Sequence, residues 1–360
     1  MRTVIHIGMF KTGTTALQKM LSLHADELRK RGILYPHVEP GTRAQHRLSV
    51  LLKPYVPLWG RPVDFDDIAM ARGQLDLVKQ EVAQHRPEVL LLSSEAMFRP
   101  IDDGPQDLLD ELAAISESVE ICVWVRDPVE QFAAGFRQRA KSHRGYRPIA
   151  GVSYRAALES WIAKVGQDKV TVRRYARDSL VNREIFDDYL GAIFSHDLGL
   201  PKINHHEQNT SLSPEAIQAV QAYFDAYPRA NFAKAGRYKA RLLNFLMAFD
   251  RAHPPPDMAP LKPDVAARIR AATADVHWLR ETFGIVFPAT DYVKDGLGPF
   301  EPIPVEVLDE VFDVSPDRLH HLTAQLRRSH PKVWRALVGN PTRSEQMMYP
   351  IHRLTRWLRL

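Results

Sequence analysis

The sequence predicts an α/β protein with a central parallel sheet that is flanked by helices. Short apolar, β-branched runs alternate with amphipathic helical patterns over residues 1–215, and this alternation favours parallel strands with helices on both faces. The run Val89–Leu92 is apolar at every position, which is typical of a strand that is buried on both sides. Polar clusters follow three of the expected strands, so they should meet at one edge of the sheet.

The expected strands, in chain order, are Thr3–Ile7, Val89–Leu92, Val119–Val125 and Lys169–Arg173. The helix after the first strand has apolar positions at helical spacing. These positions are Leu17, Met20, Leu21, His24 and Leu28. Further helices are expected over residues 106–117, 182–194, 236–250, 264–282 and 316–328, and one that starts at Ser213-Pro214.

Two regions are expected in the chain. Residues 1–215 form an α/β core, in which the proline-rich residues 36–75 are an insertion with irregular helices. Residues 216–360 form a mainly helical part that packs on the core. The tail Arg353–Leu360 alternates Arg with Leu and Trp; it is interpreted as a helix packed on its own protein, with contact to an acidic membrane surface as the alternative.

Composition limits the class of protein. Of the 360 residues 45% are apolar and 25% charged, the net charge is +5 and the pI is about 9.2, a balance that suits anionic ligands but does not favour nucleic acid. Cys122 is the single cysteine, so an intrachain disulfide is excluded, and its apolar run predicts a buried side chain. No secretory signal and no apolar run of about 18 residues is recognised, so a cytoplasmic location without a transmembrane segment is expected.

A glycine loop follows the first strand. It reads Gly8-Met9-Phe10-Lys11-Thr12-Gly13 and leads into a helix that opens with Thr14 and Thr15. Strand, glycine loop and helix form a geometry that binds phosphate through backbone N–H groups and the helix N-terminus. The two glycines have the spacing of the nucleoside-triphosphatase loop, but Thr14 stands where that loop has its lysine. The cation is instead Lys11, inside the loop, where it would lie near the bridging oxygen of a shorter donor.

With its flanking residues, this segment resembles the phosphosulfate-binding loop of sulfotransferases that use 3′-phosphoadenosine 5′-phosphosulfate (PAPS), particularly bacterial members with K-T-G-T-T. The resemblance implies a P-loop-type nucleotide-binding core with helical additions. It also implies transfer of a sulfuryl group from PAPS to an acceptor hydroxyl. Lys11, Thr12, Gly13, Thr14 and Thr15 would bind the donor.

Three later segments support the resemblance, which covers roughly residues 1–35, 88–140 and 165–215. Val123–Phe132 is similar to the family's second signature, in which an arginine at a strand end, here Arg126, binds the 3′-phosphate. Val170–Tyr175 resembles the strand that ends near the adenine, although Tyr175 also suits a core position. Asn209–Glu215 is similar to a segment that occurs late in the sequences of bacterial sulfotransferases. This similarity does not imply a function for the segment.

One position departs from the family. Sulfotransferases usually have a serine eight residues after the arginine, also for the 3′-phosphate, and this chain has Ala134 there. Either another group replaces that donor or PAPS is bound more weakly.

Sulfuryl transfer requires a stabilised leaving group and a base for the acceptor hydroxyl. Lys11 is expected to stabilise the leaving phosphate. Glu95, directly after a buried strand, is the first candidate for the base; the alternative is that it caps the next helix or pairs with Arg126. His46 is the rival base, or else a surface histidine. No metal is expected, and the pair His205-His206 is only a weak candidate ligand set.

The acceptor is expected to be a carbohydrate or glycan, while lipid-linked glycan, phenol and peptide stay open. A basic run could guide an anionic glycan, or it could be a solvated face. It comprises Arg137, Arg139, Lys141, Arg144 and Arg147. The competing functions are a P-loop kinase or triphosphatase, in which Glu95 would hold a metal, and a non-catalytic nucleotide-binding protein.

Overall fold

The central feature of the computed structural model is a five-stranded sheet in the order β2-β3-β1-β4-β5. All neighbouring strands pair in parallel, so the predicted α/β class is confirmed. The strands are β1 (Arg2–Ile7), β2 (Ile33–Leu34), β3 (Val89–Ser94), β4 (Ser118–Val125) and β5 (Val170–Arg174). The structure describes residues 1–38, 41–53, 63–104, 106–194, 198–201, 211–226, 233–254, 260–297 and 302–337.

Helices connect and cover these strands. They are α1 (Thr14–Leu23), α2 (Ala25–Arg29), α3 (Phe65–His85), α4 (Asp107–Ala113), α5 (Pro128–Ser142), α6 (Arg155–Val165), α7 (Ile185–Phe194), α8 (Pro214–Ala226), α9 (Ala233–Ala252), α10 (Pro263–Ala271), α11 (Asp275–Phe283), α12 (Pro316–Ser329) and α13 (Pro331–Leu337). Short 3-10 helices span His46–Leu51, Glu95–Met97, Gln167–Lys169, Val181–Arg183 and Leu308–Glu310.

Some predicted helices differ from the observed ones. The single helix predicted after the first strand is observed as two helices, α1 and α2, because the chain turns at His24. The His24 ring nitrogens contact the carbonyls of Met20 and Pro201. Residues 264–282, which were predicted to be helical, form two helices, α10 and α11, that are separated at Thr273. In the expected insertion, α3 is longer and more regular than predicted. It begins at a capping box in which the Asp64 and Asp67 side chains each accept from the other residue's backbone N–H.

The chain forms two compact units, each of several segments. The first unit comprises Met1–Asp127, Val152–Glu207 and Thr273–Gly296, and it contains the whole sheet. The second comprises Pro128–Gly151, Gln208–Ala272 and Leu297–Leu360.

Alternate residues of the strands enter two apolar clusters, one on each face of the sheet, because successive side chains of a strand point to opposite faces. On one face Ile5, Leu92 and Val123 pack with apolar side chains of α3, α4 and α6. On the other face Val4 and Cys122 pack with side chains of α1, α2 and α7. Cys122 is 2% exposed, as predicted from its apolar run.

In the second unit, a buried ion cluster joins three helices. Arg318 of α12 pairs with Glu215 of α8 at 3.2 Å and with Asp250 of α9 at 2.5 Å. The Ser213 hydroxyl accepts from the N–H of Ala216 at 3.2 Å and caps α8, as predicted. In the described part of the segment Asn209–Glu215, therefore, Ser213 and Glu215 have structural contacts.

No described helix combines the length and the apolar character that crossing a membrane would require. The tail Arg353–Leu360 and the pair His205-His206 lie outside the described residues, so the expectations for them stay predictions.

A buried carboxylate ties α7 to β4 and β5. Asp188, 1% exposed, accepts from the Trp124 indole at 2.7 Å, twice from the Arg173 guanidinium at 2.7 Å and from the N–H of Val181 at 3.1 Å. Burial by itself would raise the pKa of Asp188, but the hydrogen bonds from Arg173, Trp124 and Val181 outweigh it and hold the pKa below its usual value.

Replacing this carboxylate should weaken the fold. Asp188→Ala leaves the Arg173 guanidinium and the Trp124 indole without their acceptor, so we expect the free energy of unfolding at pH 7 to fall by about 3–5 kcal/mol. The lowered pKa means that the carboxylate stabilises the fold above its unfolded-state pKa and stops doing so as the pH falls through its folded-state pKa. Denaturant titrations should therefore show the difference shrinking below about pH 4.

The matched control is Asp178→Ala, which removes an exposed carboxylate that pairs with Arg174 at 3.2 Å. It should change the free energy of unfolding by less than about 1 kcal/mol. Equal effects of the two substitutions would contradict the role given to Asp188.

Candidate functional site

The loop between β1 and α1 is shaped by two glycines. A Cβ at Gly8 would lie 2.6 Å from the Thr14 methyl group, and a Cβ at Gly13 would lie 2.9 Å from the Tyr175 ring. Gly13 also has a left-handed φ of 78° and stands at the N-cap of α1 without a side-chain cap. Only glycine satisfies both demands at position 13, so the backbone there can approach a ligand closely.

Hydroxyl groups hold the loop from within. The Thr12 hydroxyl donates to the carbonyl of Met9 at 2.6 Å, and the Thr14 hydroxyl donates to the same carbonyl at 3.3 Å. Both side chains are buried. The sequence predicted these threonines as donors to a phosphate. In the structure the Thr12 proton is directed to the loop itself, and the Thr14 hydroxyl contacts both the Met9 carbonyl and the Glu95 carboxylate. Thr15 is exposed in the first turn of α1.

Lys11 and Arg126 come together although they are far apart in the sequence. The Arg126 guanidinium donates to the Lys11 carbonyl at 3.2 Å. The Lys11 backbone has a left-handed φ of 63°, which is uncommon for a residue with a side chain. Its side chain is exposed. The contact therefore brings the loop cation and the strand-end guanidinium to the same edge of the sheet.

Tyr175 lies against both of these groups. Its N–H donates to the carbonyl of Val125 at 2.8 Å, which aligns the residue after β5 with the end of β4. The Arg126 guanidinium carbon lies 5.8 Å from the centroid of the Tyr175 ring, within cation–π range. Tyr175 is half-buried and also packs against the apolar cluster on the α1 side of the sheet, so both of its predicted environments stay open.

Glu95 directly follows β3, beside the loop. Burial raises the pKa of the Glu95 carboxyl above its usual value, while the positive charge of Lys11 and a hydrogen bond with Thr14 lower it and offset part of the rise. Both opposing effects require that Lys11 and Thr14 lie close to the carboxylate. A raised pKa makes this group a stronger base than an exposed glutamate.

The segment that carries His46 is attached to the end of β3. The N–H of Gln45 donates to the carbonyl of Ser93 at 3.0 Å, and the Gln45 side-chain oxygen accepts from the N–H of Ser93 at 2.8 Å. The next residue, His46, then lies with Nδ1 3.1 Å from the Ser94 hydroxyl. His46 is half-buried, so the two candidate bases are each fixed at the carboxyl end of β3.

Arg99 holds the same segment at its other end. Its guanidinium donates to the carbonyls of Ser49 at 2.6 Å and Leu52 at 2.9 Å. These carbonyls lie at the end of the 3-10 helix that begins at His46. Burial lowers the pKa of Arg99 to about 10, and the nearby Asp102 partly opposes this.

A buried polar network beneath the loop was not predicted from the sequence. The Ser93 hydroxyl lies 2.9 Å from His6 Nδ1 and accepts from the Gln18 side chain at 3.1 Å. Burial lowers the pKa of His6 to about 3, so its ring is neutral at pH 7. The sequence did indicate that Gln18 could face the loop, because this polar residue lies one helical turn after Thr14 and directly after the apolar Leu17.

The structure thus brings the predicted site residues to the carboxyl ends of β1, β3, β4 and β5, with His46 added from a separate segment. Arg126 contacts Lys11 and Tyr175, and Glu95 interacts with Lys11 and Thr14. Lys11 is the residue common to both. Ala134, the predicted departure, is half-buried within α5 of the second unit.

No group of three histidine, cysteine or acidic side chains converges in a way that could hold a metal ion within the described ranges. Comparison of the chain with family models, with curated proteins and with solved structures gave no match. A function must therefore be argued from the site itself.

The position of Glu95 should lower the stability of the fold. Because its pKa is raised on folding, the ionised carboxylate costs free energy above its folded-state pKa, and this cost disappears as the pH falls below its unfolded-state pKa, about 4.3. We expect Glu95→Gln to increase the free energy of unfolding at pH 7, and the increase to vanish near pH 4, in denaturant titrations.

Asp76→Asn, which neutralises an exposed carboxylate on α3, is the control and should change stability by less than about 0.5 kcal/mol. A Glu95→Gln variant that is less stable than the wild type at pH 7 would mean that the ionised carboxylate stabilises the site.

Proposed function

We propose that this chain is a sulfotransferase that moves a sulfuryl group from PAPS to an acceptor hydroxyl. The observation that carries the proposal is the contact of the Arg126 guanidinium with the Lys11 carbonyl, at 3.2 Å, in a strand–loop–helix arrangement. The proposal also draws on the resemblance of Gly8–Thr15 and Val123–Phe132 to the motifs of PAPS-dependent sulfotransferases.

The loop would bind the 5′-phosphosulfate end of the donor. Gly8 and Gly13 leave room where any side chain would collide with a neighbour, and the first N–H groups of α1 have no partner within the helix. These groups and the helix dipole favour an anion at this end. Because the Thr12 hydroxyl donates to Met9 and the Thr14 hydroxyl is engaged by Met9 and Glu95, the proposed anion contacts come from backbone N–H groups, the Lys11 ammonium and Thr15.

Arg126 would bind the 3′-phosphate at the other end of the donor. A planar guanidinium can donate two parallel hydrogen bonds to phosphate oxygens. The aromatic ring of Tyr175 lies beside the guanidinium and offers an apolar surface for the nucleoside. The contact of Arg126 with the Lys11 carbonyl would set the distance between the two anion sites.

In the proposed reaction, Glu95 takes the proton of the acceptor hydroxyl while the acceptor oxygen forms a bond to sulfur. The bond between sulfur and the bridging oxygen breaks, and its electron pair stays on the departing adenosine 3′,5′-bisphosphate. The Lys11 ammonium stabilises that negative charge. The raised pKa of Glu95 suits a base that must accept a proton near neutral pH.

His46 is the alternative base. Its Nδ1 contacts the Ser94 hydroxyl, so the ring is oriented, and a neutral imidazole could take the same proton. The acceptor in this proposal is a hydroxyl of a carbohydrate or glycan.

Nucleotide binding tests the proposal directly. In calorimetry, adenosine 3′,5′-bisphosphate should bind without magnesium. Lys11→Ala and Arg126→Ala should each weaken this binding at least ten-fold, about 1.4 kcal/mol, since each removes a charge that contacts phosphate.

Arg86→Ala is the matched control, because this exposed arginine precedes β3 and lies at the opposite end of that strand from Glu95. It should leave binding unchanged. Tighter, magnesium-dependent binding of ATP would instead favour a kinase or triphosphatase.

The role of Glu95 is tested by transfer. With PAPS and a panel of neutral oligosaccharides, Glu95→Gln should bind the bisphosphate as the wild type does and lose roughly 100-fold or more of the rate of bisphosphate release. His46→Ala should retain more activity than Glu95→Gln.

The reverse order of the two variants would assign the proton transfer to His46. Bisphosphate binding by the wild type without release from PAPS on any acceptor would favour the non-catalytic alternative.

A further inference from the structure

The second unit carries a group of cations on α5, on the turn after it and on α9, which we call the basic surface. It consists of Arg137, Arg139, Lys141, Arg144 and Arg147, from α5 and the turn after it, and Lys239 of α9. The sequence indicated five of them as a run but did not predict that Lys239 joins them.

Two of the guanidiniums lie on a buried aromatic row. The Arg147 guanidinium is 4.7 Å from the Phe132 ring centroid, and the Arg137 guanidinium is 4.6 Å from that of Phe312. Phe136 connects the row, with centroids 5.9 Å from Phe132 and 5.5 Å from Phe312. Because the rings are at most 1% exposed, they fix the guanidiniums without offering an aromatic face to solvent.

The turn that follows α5 is also held in place. The Gln221 side chain donates to the carbonyls of Ala140 at 2.5 Å and His143 at 2.9 Å, and it accepts from the N–H of Gly145 at 2.8 Å. The Tyr146 ring stacks on Phe136 with a centroid separation of 5.4 Å. The cations on this turn are therefore arranged before any ligand binds, which lowers the entropy cost of binding.

The positive charge of this surface is poorly compensated. Arg144 pairs with Asp225 at 2.8 Å. For Arg139, Lys141, Arg147 and Lys239, no carboxylate lies within ion-pair distance among the residues that the structure describes. The pKa of Arg147 is lowered mainly by burial and also by the positive charge of Arg139. The pKa of Lys239 is lowered in the same way by burial and by the charge of Lys141. The like charges of each pair, Arg139 with Arg147 and Lys141 with Lys239, repel each other, and an anion bound beside them would relieve that repulsion.

We propose that the basic surface binds an acidic glycan, a saccharide chain that carries sulfate or carboxylate groups. Guanidinium forks held on rings suit such groups, because each fork can donate two parallel hydrogen bonds to one of them. Single-stranded nucleic acid would need exposed aromatic rings for base stacking, and the rings of this surface are covered by its own cations. This inference does not depend on the proposed transfer reaction.

Binding is measured on the full chain, without nucleotide, by fluorescence anisotropy in 0.15 M salt. The probes are a labelled sulfated hexasaccharide, its unsulfated counterpart and a single-stranded DNA 12-mer. We expect the sulfated hexasaccharide to bind best, and its affinity to fall steeply as salt is added.

The double variant Arg139→Gln/Lys141→Gln should weaken this binding at least ten-fold. These two residues are chosen because, within the described part of the chain, no aromatic ring lies against their side chains. The matched control is Arg327→Gln/Arg328→Gln, which removes two exposed arginines of α12 from the same unit, and it should change affinity less than two-fold. Lys11→Ala should bind the hexasaccharide as the wild type does, whatever its effect on nucleotide.

Three results would overturn the inference: no binding of the sulfated hexasaccharide, equal losses in the two double variants, or tighter binding of the DNA with the same dependence on Arg139 and Lys141. The last result would assign the surface to nucleic acid. Circular dichroism of each variant distinguishes a loss of binding from a loss of fold.

Discussion

The position of β1 between β3 and β4 is the constraint on which the candidate site depends. Parallel pairing on both sides of β1 brings three strand ends to one edge, so the loop after β1 lies between Glu95 and Arg126. The strand order reverses at β1, since β2 and β3 lie on one side of it and the later strands β4 and β5 on the other. In open parallel sheets, ligands bind outside the strand ends at such a reversal.

The same region contains features that oppose folding and are compensated nearby. The Lys11 backbone is left-handed, the Glu95 carboxyl is half-buried, and polar groups of Gln18 and Ser93 lie beneath the loop. Hydrogen bonds offset these costs: Arg126 donates to the Lys11 carbonyl, and Gln18 donates to Ser93. Backbone strain that is held by its surroundings is frequent at functional sites, so the loop has the character of a binding element more than of a simple connection.

Most of the sheet could be predicted from the sequence, because apolar strands and a helical period are local signals. The two-residue strand β2 could not, since Ile33–Leu34 is too short to show a period. The break between α10 and α11 also escaped prediction: it falls where the chain passes from the second unit to the first. Lys11, Arg126 and Glu95 were readable as residues at strand ends. The contact of Gln45 with Ser93 was not, because it joins positions 48 residues apart.

Gln45 has a consequence for the outer side of the sheet. β2 pairs with β3 only at Val89 and Leu90, so the far half of β3 would present open N–H and C=O groups to other chains. At Ser93, the Gln45 N–H donates to the carbonyl and the Gln45 side-chain oxygen accepts from the N–H. Gln45 thus makes the two hydrogen bonds that a neighbouring strand would make. A single residue therefore both completes the hydrogen bonds of Ser93 and places His46 beside the carboxyl end of β3. A substitution of Gln45 would therefore disturb the outer side of β3 and the position of His46 together.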